Sequence, residues 1–381
     1  MRTFLPAPAI SIIHHLQGVS ACTLRKGEKK AWTSSSRWVF SPENVINQVE
    51  TWNRELPWIA PYYAMKANPR TELLNAMFYP VSQMGIDVAS ISEMKTALRY
   101  VPENKIIYTN PHLIPHEKDA VKQMGIRTKV VDSLGEMRKM KEYGFFPMVL
   151  IRLNSGSNHA DCAFDSKFGC SQEEGFAIME YAKENGYVIR GVSFHIGSGG
   201  NFDRKAAYQR AVEYAIPLLH QIMNPVLDIG GGLLHDTDLK EVLGWTQDLP
   251  YRIIAEPGRY FAESAYHLAI QVIAKTERGI YLDNGIYHEL NVYHRDHWQF
   301  PLITHLYDNI IETMEEVHDY IIADVFGPTC DSYDVIPQVR FPVMIQEGDW
   351  IFLNNMGAYT SSAGIPFNGV SLASEYTTRL R

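Results

Sequence analysis

Four clusters in the sequence carry residue types able to do chemistry. Tyr63-Ala64-Met65-Lys66-Ala67-Asn68 closes an apolar run with a lysine. A lysine leaving a sheet for solvent is the plain reading; the reactive one is an amine of lowered pKa that attacks a carbonyl carbon. Val192-Ser193-Phe194-His195-Ile196-Gly197-Ser198-Gly199-Gly200 ends an apolar run with a histidine, followed by glycines and a serine. The histidine fits a packed core position, whereas the residues after it expose N–H groups suited to an anion. Leu227-Asp228-Ile229-Gly230-Gly231-Gly232 offers either a tight turn or a close backbone approach for a phosphate. Ala255-Glu256-Pro257-Gly258-Arg259-Tyr260 sets a carboxylate before a Gly-Arg pair, which alone reads as a surface ion pair. Neither glycine cluster completes the GxGxxG dinucleotide fingerprint, because the sixth position is Phe202 in one and His235 in the other. Taken together, an amine, a carboxylate, an imidazole and three anion-binding loops suit pyridoxal 5′-phosphate. That cofactor needs an amine partner, a carboxylate for its pyridine nitrogen and a phosphate cradle.

Each cluster follows a short apolar run, which asks for a scaffold that lines up strand ends. Arg37–Phe40 reads as a strand, and Ser41-Pro42-Glu43 starts a helix through Trp52. Further strands read at 58–65, 85–88, 105–108, 128–131, 147–153, 188–195, 225–229 and 252–255. Helices start at Ser92, after Pro115, at Ser133 and over 171–185. Strands alternating with helices imply βαβ units and a parallel sheet. About eight such strands over roughly 220 residues match a (β/α)8 barrel, whose functional groups sit at the C-terminal strand ends. After residue 265 the rhythm changes to strands and turns at 267–275, 278–282, 320–325 and 349–353. Val343–Gln346 reads as one more strand turning into the last. The expected organisation is a barrel over 37–264 and an all-β domain from 1–36 and 265–381.

Composition bounds what such a protein does. The 381 residues carry 35 Lys plus Arg against 43 Asp plus Glu, a net charge of −8, which is no footprint for nucleic acid. The apolar stretches fall well short of the ~20 residues of a membrane span. Cys22, Cys162, Cys170 and Cys330 form no CxxC pair, zinc pattern or disulfide framework, so a reducing compartment and no metal are expected. The N-terminus lacks the basic, apolar and small-residue order of a secretory signal, and a cytoplasmic location follows.

An ordered set of motifs from Trp38 to Gly369 resembles the ornithine/diaminopimelate/arginine decarboxylase family, the fold-type III pyridoxal-phosphate enzymes. The set comprises 63–68, Gly85-Ile86-Asp87-Val88-Ala89-Ser90 with Glu93, Lys167-Phe168-Gly169, 191–199, 228–232 and 256–259. It continues with Gly327-Pro328-Thr329-Cys330-Asp331, Gly348-Asp349-Trp350, Met356-Gly357-Ala358-Tyr359 and Phe367-Asn368-Gly369. The resemblance implies an alanine-racemase-like (β/α)8 TIM-type barrel with a β-domain built from both chain ends. It implies Lys66 as the lysine that binds the cofactor covalently, His195 as the ring stacked on it and Glu256 as the partner of its pyridine nitrogen. Ser198, Gly230, Gly231, Gly232, Gly258, Arg259 and Tyr359 match phosphate contacts; Arg152, Asp87 and Glu93 match positions near the cofactor and lysine. Cys330 matches the acid that returns a proton to the α-carbon, and Asp331 the residue holding the substrate's distal amine. In the family these two come from a partner subunit, which implies a homodimer with shared sites.

The same resemblance narrows the substrate. Cys330-Asp331 stands where diaminopimelate decarboxylases carry Cys-Glu-Ser, which favours a bare distal cation. Asp296, five residues after Asn291, has the spacing of ornithine decarboxylases and would join Asp331 around the distal ammonium. L-Ornithine decarboxylation to putrescine, a step of polyamine biosynthesis, is the expected activity. Lysine or arginine remains open within the class, and diaminopimelate, an amino-acid racemase on the same barrel and an inactive partner-binding homologue lie further off. One departure is His288-Glu289-Leu290, where the family usually has small residues; two bulky polar side chains there would reshape the substrate-facing wall.

Overall fold

The computed structural model describes residues 36–79, 83–156, 167–295, 303–307, 310–313 and 319–376. The chain divides into two compact units, Val45–Ala262 and the flanking stretches up to Asn44 and from Glu263 onward.

The central unit is a closed barrel of eight parallel strands: β2 (Ile59–Ala64), β3 (Gly85–Val88), β4 (Ile106–Tyr108), β5 (Thr128–Val131), β6 (Met148–Arg152), β7 (Val188–Ser193), β8 (Val226–Asp228) and β9 (Arg252–Ala255). Closure runs through β2 and β9, where Pro61 pairs with Ala255. The strands are short and almost continuously buried, as parallel strands covered on both faces must be. Tyr62, Ile107, Val130, Leu150, Val226 and Ile254 pack together as one cluster. Helices between the strands start where the sequence supplies caps: Ser90, Ser133, Ser171, Asp203 and Asp238 each accept from the N–H three residues on. Register puts the chemistry-bearing ends in line. Ala64 pairs with Asp87, Arg152 with Ser193 and Ser193 with Asp228.

The flanking unit holds a nine-stranded mixed sheet. Its path runs β13 (Ile310–Thr313), β12 (Ile303–Tyr307), β16 (Trp350–Leu353), β10 (Tyr266–Thr276), β11 (Gly279–Leu282), β14 (Tyr320–Phe326) and β15 (Val335–Pro342). β1 (Arg37–Phe40) pairs antiparallel with β10 and parallel with β17 (Ser374–Tyr376). Thus 37–40, which begins the barrel rhythm in the sequence, belongs to this sheet, because eight strands already close the barrel and leave no edge for a ninth. The segment 343–346 is not a strand: Val343 and Met344 are exposed in a turn. The strand precedes it at Val335–Pro342, where prolines are tolerated because β15 ends the sheet path. The expectation that the first 36 residues join this domain falls, up to residue 35, outside the described residues. Among the described residues no helix is long and apolar enough to cross a membrane.

Candidate active site

Lys66 sits in the 3-10 turn Met65–Ala67 directly after β2. Its Nζ lies 3.3 Å from Asp87 Oδ2 on the neighbouring strand. Asp87 is buried, and its Oδ1 accepts from Thr109 Oγ1 just past β4. Ala89 N donates to Glu93 Oε2 at 2.6 Å. Burial pushes the Glu93 carboxyl up, the Ala89 N–H opposes it, and the charge of Asp87 adds to the rise.

On the other side of Lys66 from Asp87, after β8 and β9, lies a pair of buried acids. Asp228 ends β8, where its Oδ1 accepts from Gly230 N at 3.0 Å. Its carboxylate, fully buried, also accepts from the Glu256 carboxyl. Glu256 follows β9, and its N–H donates to Gly230 O at 2.7 Å. Burial first, then the charges of Asp228 and Asp87, hold the Glu256 carboxyl well above the usual range. Asp228 is raised too, again chiefly by burial. Two buried acids this close share a proton between them or hold a cation, which is what their raised carboxyls call for.

The glycine run between them is dictated by close approach. A Cβ on Gly231 would lie 2.8 Å from Glu256 O and 3.1 Å from His195 Nε2, and one on Gly230 2.3 Å from Phe194 O. Gly232, at φ +114°, sits where a Cβ would meet Gly197 O at 2.7 Å. Two residues of the helix Arg204–Leu219 hold this loop: Arg204 donates to Gly232 O at 2.9 Å and Gly200 O at 3.0 Å, and Tyr208 to Gly231 O at 2.8 Å. Arg259 Nε donates to Ser198 Oγ at 3.4 Å, and Gly258 O accepts from Ala262 N in the turn that Arg259 opens. His195 Nδ1 accepts from Gly197 N at 3.0 Å, which leaves the ring proton on Nε2. Burial, then the charges of Arg152 and Lys66, pull the imidazole well below its ordinary value, so the ring is neutral. The Arg152 guanidinium stands 5.1 Å above the Phe168 ring. A cavity of about 460 Å³ opens here, lined by Lys66, Thr109, His112, Arg152, Phe168 and His195 among others.

Residues 43–263 match the family described as "Pyridoxal-dependent decarboxylase, pyridoxal binding domain". The chain belongs to that family. The ornithine decarboxylase of Schizosaccharomyces pombe is 33% identical over 362 residues, 88% of this chain and 82% of that protein. Among solved structures, the arginine decarboxylase of Paramecium bursaria Chlorella virus aligns with a TM-score of 0.83 at 27% identity, over 96% of this chain and 99% of that one. The lysine/ornithine decarboxylase of Vibrio vulnificus, complexed with putrescine, aligns at 0.78 and 25% identity over 99% of both. The cofactor of this pyridoxal-dependent decarboxylase is pyridoxal 5′-phosphate. The residues fit it on independent grounds. The paired, raised carboxyls of Asp228 and Glu256 suit a protonated pyridine nitrogen, and a side chain at Gly230, Gly231 or Gly232 would collide with neighbouring backbone, so the loop stays bare as a phosphate cradle requires.

The remaining candidates of this decarboxylase lie in the flanking unit. Tyr359 takes φ +60°, its carbonyl accepts from Arg295 at 2.7 Å, and its ring lies 5.3 Å from that guanidinium. Cys330 is exposed, and its N–H donates to Asn368 Oδ1 at 2.9 Å. Asp331 Oδ2 accepts from the Tyr287 hydroxyl and Oδ1 from Tyr333 N at 3.0 Å. The Tyr287 hydrogen bond holds the Asp331 carboxyl below the usual range and pushes the phenol up to about 12. Asp296 lies outside the described residues. His288 and Glu289 do not form a wall, contrary to the sequence expectation. Both are fully buried; Glu289 accepts from Asn284 at 2.6 Å and Ala373 N at 2.9 Å, and His288 Nε2 lies 3.3 Å from Val370 O.

Four residues that shape the barrel site carry little signal in the sequence. Asp228 lies inside the Leu227–Gly232 motif, where nothing in its type or spacing sets it apart. Thr109 carried no signal beyond its place at a strand end. Arg204 and Tyr208 are four apart, hence on one helix face, just after a glycine loop; that spacing was the available clue.

Proposed function

We propose that this decarboxylase acts on a basic L-amino acid, L-ornithine, releasing CO2 and putrescine. The observation that carries the reading is Asp331: held ionised by Tyr287 next to Cys330, it offers a fixed anion for a bare distal ammonium. Lysine differs by one methylene and presents the same ammonium, and the structural likeness to a lysine/ornithine decarboxylase supports it as the second reading. When bound, pyridoxal phosphate supplies an electron sink for the pair left on the α-carbon as CO2 departs. Lys66 holds the cofactor through Nζ, with Asp87 and Glu93 beside it. His195, neutral, would face the ring of the bound cofactor, and Glu256, backed by Asp228, would keep the proton on its pyridine nitrogen. Ser198, Gly230, Gly231, Gly232, Gly258, Arg259 and Tyr359 would hold the phosphate, with Arg152 contributing at the same cavity. Cys330 delivers a proton from Sγ to the α-carbon, while Asp331 and Asp296 fix the distal ammonium. Cys330 and Asp331 act on the site of a partner subunit, so the active form is a homodimer with two shared sites.

Measured CO2 release should be fastest with ornithine, then lysine, and slow with arginine and diaminopimelate; a preference for diaminopimelate would overturn the role of Asp331. Cys330→Ala should lower turnover by about 10²–10⁴-fold, the usual reach of a general acid. Mixing Lys66→Ala with Cys330→Ala chains should restore about a quarter of wild-type activity, since random pairing of a two-fold dimer makes half the dimers mixed with one intact site. No recovery at any ratio would refute the shared site.

A further inference from the structure

Asp87 divides its two oxygens between two partners. Oδ2 faces Lys66 Nζ at 3.3 Å, and Oδ1 accepts from Thr109 Oγ1. Both Asp87 and Thr109 are buried, so water does not replace the contact between them. Thr109 is itself fixed: its N–H donates to Val88 O at 2.9 Å, which continues the pairing of β4 with β3 past the strand end. It also lines the same cavity as Lys66. A wall there needs only Thr109's carbon atoms. The hydroxyl is what reaches the carboxylate.

We propose that Thr109 is a positioning residue for the decarboxylation: its hydroxyl fixes Asp87 and, through Asp87, sets how tightly Lys66 keeps its proton. The inference rests on Lys66 being the cofactor lysine. A donor on one carboxylate oxygen stabilises the negative charge and weakens what the other oxygen offers its neighbour. With Thr109 in place, Asp87 orients Lys66 without clamping its proton, and an amine must be unprotonated to attack a carbonyl carbon. Replacement by valine keeps the shape and removes the donor. Asp87 then stays in position, its full charge falls on the Lys66 ammonium, and Lys66 loses its proton only at higher pH. The other charged or titratable groups facing Lys66 are Glu93 from the helix after β3, Glu256 after β9, His195 after β7 and Arg152 at the end of β6. They are unchanged in the substitution, so a shift reports on the Thr109–Asp87 link.

The test uses the full-length apoprotein with added pyridoxal phosphate. Capture by Lys66 is trapped with borohydride and read by the mass of the Lys66 peptide, as a rate against pH. For Thr109→Val the midpoint should move about one pH unit to the alkaline side, a roughly tenfold slower capture near neutrality. Thr109→Ser, which restores the donor, should keep the wild-type midpoint. In an Asp87→Asn background, Thr109→Val should add nothing further. If Thr109→Val does not fold, Thr109→Ala carries the same expectation. A Thr109→Val midpoint that stays put or moves to lower pH overturns the proposal, as does a Thr109→Ser shift as large as that of valine or an undiminished effect in the Asp87→Asn background. Wild-type protein that traps no pyridoxal phosphate on Lys66 overturns the assignment of Lys66 and this inference with it. Wild-type trapping with unshifted variants overturns the Thr109 role alone.

Discussion

The barrel contains two lysine–carboxylate pairs with the same 3.3 Å separation and opposite purposes. Lys66 meets Asp87 at the barrel mouth, with 41% of the lysine side chain exposed beside the cavity. Lys129 meets Glu136 with neither side chain exposed at all. Lys129 also donates to three carbonyls, Asn110 O and Pro111 O at 2.9 Å and Val130 O at 3.0 Å. Every proton of its ammonium is therefore engaged, and it holds in place the loop that leads to His112. Glu136 serves the same loop, accepting from Leu113 N at 2.8 Å, while Lys139 donates to Leu113 O at 2.8 Å and lies 2.5 Å from Glu136. Burial pulls Lys129 down to about 8, against the opposing charge of Glu136. A search for perturbed lysines would thus select the one walled off from the cavity. Access to the cavity, not the ion pair or the shift, marks the lysine proposed to hold the cofactor.

Substitutions should separate the pairs by what fails. Lys66→Met should cut decarboxylation by at least about 10³-fold. Its cost in stability should stay below that of Glu136→Ala, because Thr109 still donates to the buried Asp87 carboxylate and the lysine removed is partly exposed. Denaturant melts beside turnover numbers check both. Glu136→Ala should reverse the pattern: stranding the Lys129 charge costs about 3–5 kcal/mol. Turnover per folded molecule should fall far less than in Lys66→Met, with KM rising as the 110–113 loop loosens. A Glu136→Ala protein of wild-type stability would erase the contrast. Lys129→Met combined with Glu136→Leu removes both charges together, a change often neutral elsewhere. Here it takes the acceptor from Leu113 N and the ammonium donors from the carbonyls, so about 1–3 kcal/mol should still be lost for each buried group left unpaired.

The same contrast shows where sequence reading succeeds. That Lys66, His195, Glu256 and the glycines gather at one end of the barrel was legible because each follows directly on an apolar run and the barrel brings strand ends together. The eight barrel strands were legible from rhythm, and the β1 misplacement arose because Arg37–Phe40 has the same local pattern as a barrel strand; only closure of the eight decides against it. Lys129 was not legible. Within Thr128–Val131 a lysine reads as solvent-facing, and its burial depends on a carboxylate from the next helix and on carbonyls some twenty residues earlier. Thr109 was hidden for the same reason: its meaning lies in Asp87, one strand over. His288 and Glu289 misled because polar type suggested a surface, while Asn284 and Ala373 N satisfy Glu289 inside.

The smallest effect is a pH window. A lysine in the unfolded chain titrates near ~10.4, and Lys129 in the fold titrates at about 8. Below pH 8 both states carry the proton and the cost of burying the charge is fully present. Between pH 8 and that unfolded value the unfolded chain keeps a proton that the folded one has released. Stability contributed through Lys129 must therefore rise with pH across the window, since the unfolded state binds more protons there. Lys129→Met has no such group. The stability of wild type minus that of Lys129→Met, from denaturant melts at intervals from pH 7 to 10, should be flat below pH 8 and climb above it. A difference that stays flat throughout would mean that Glu136 and the three carbonyls outweigh burial. Lys129 would then keep its proton as firmly as a surface lysine, and exposure to the cavity would be all that distinguishes the two pairs.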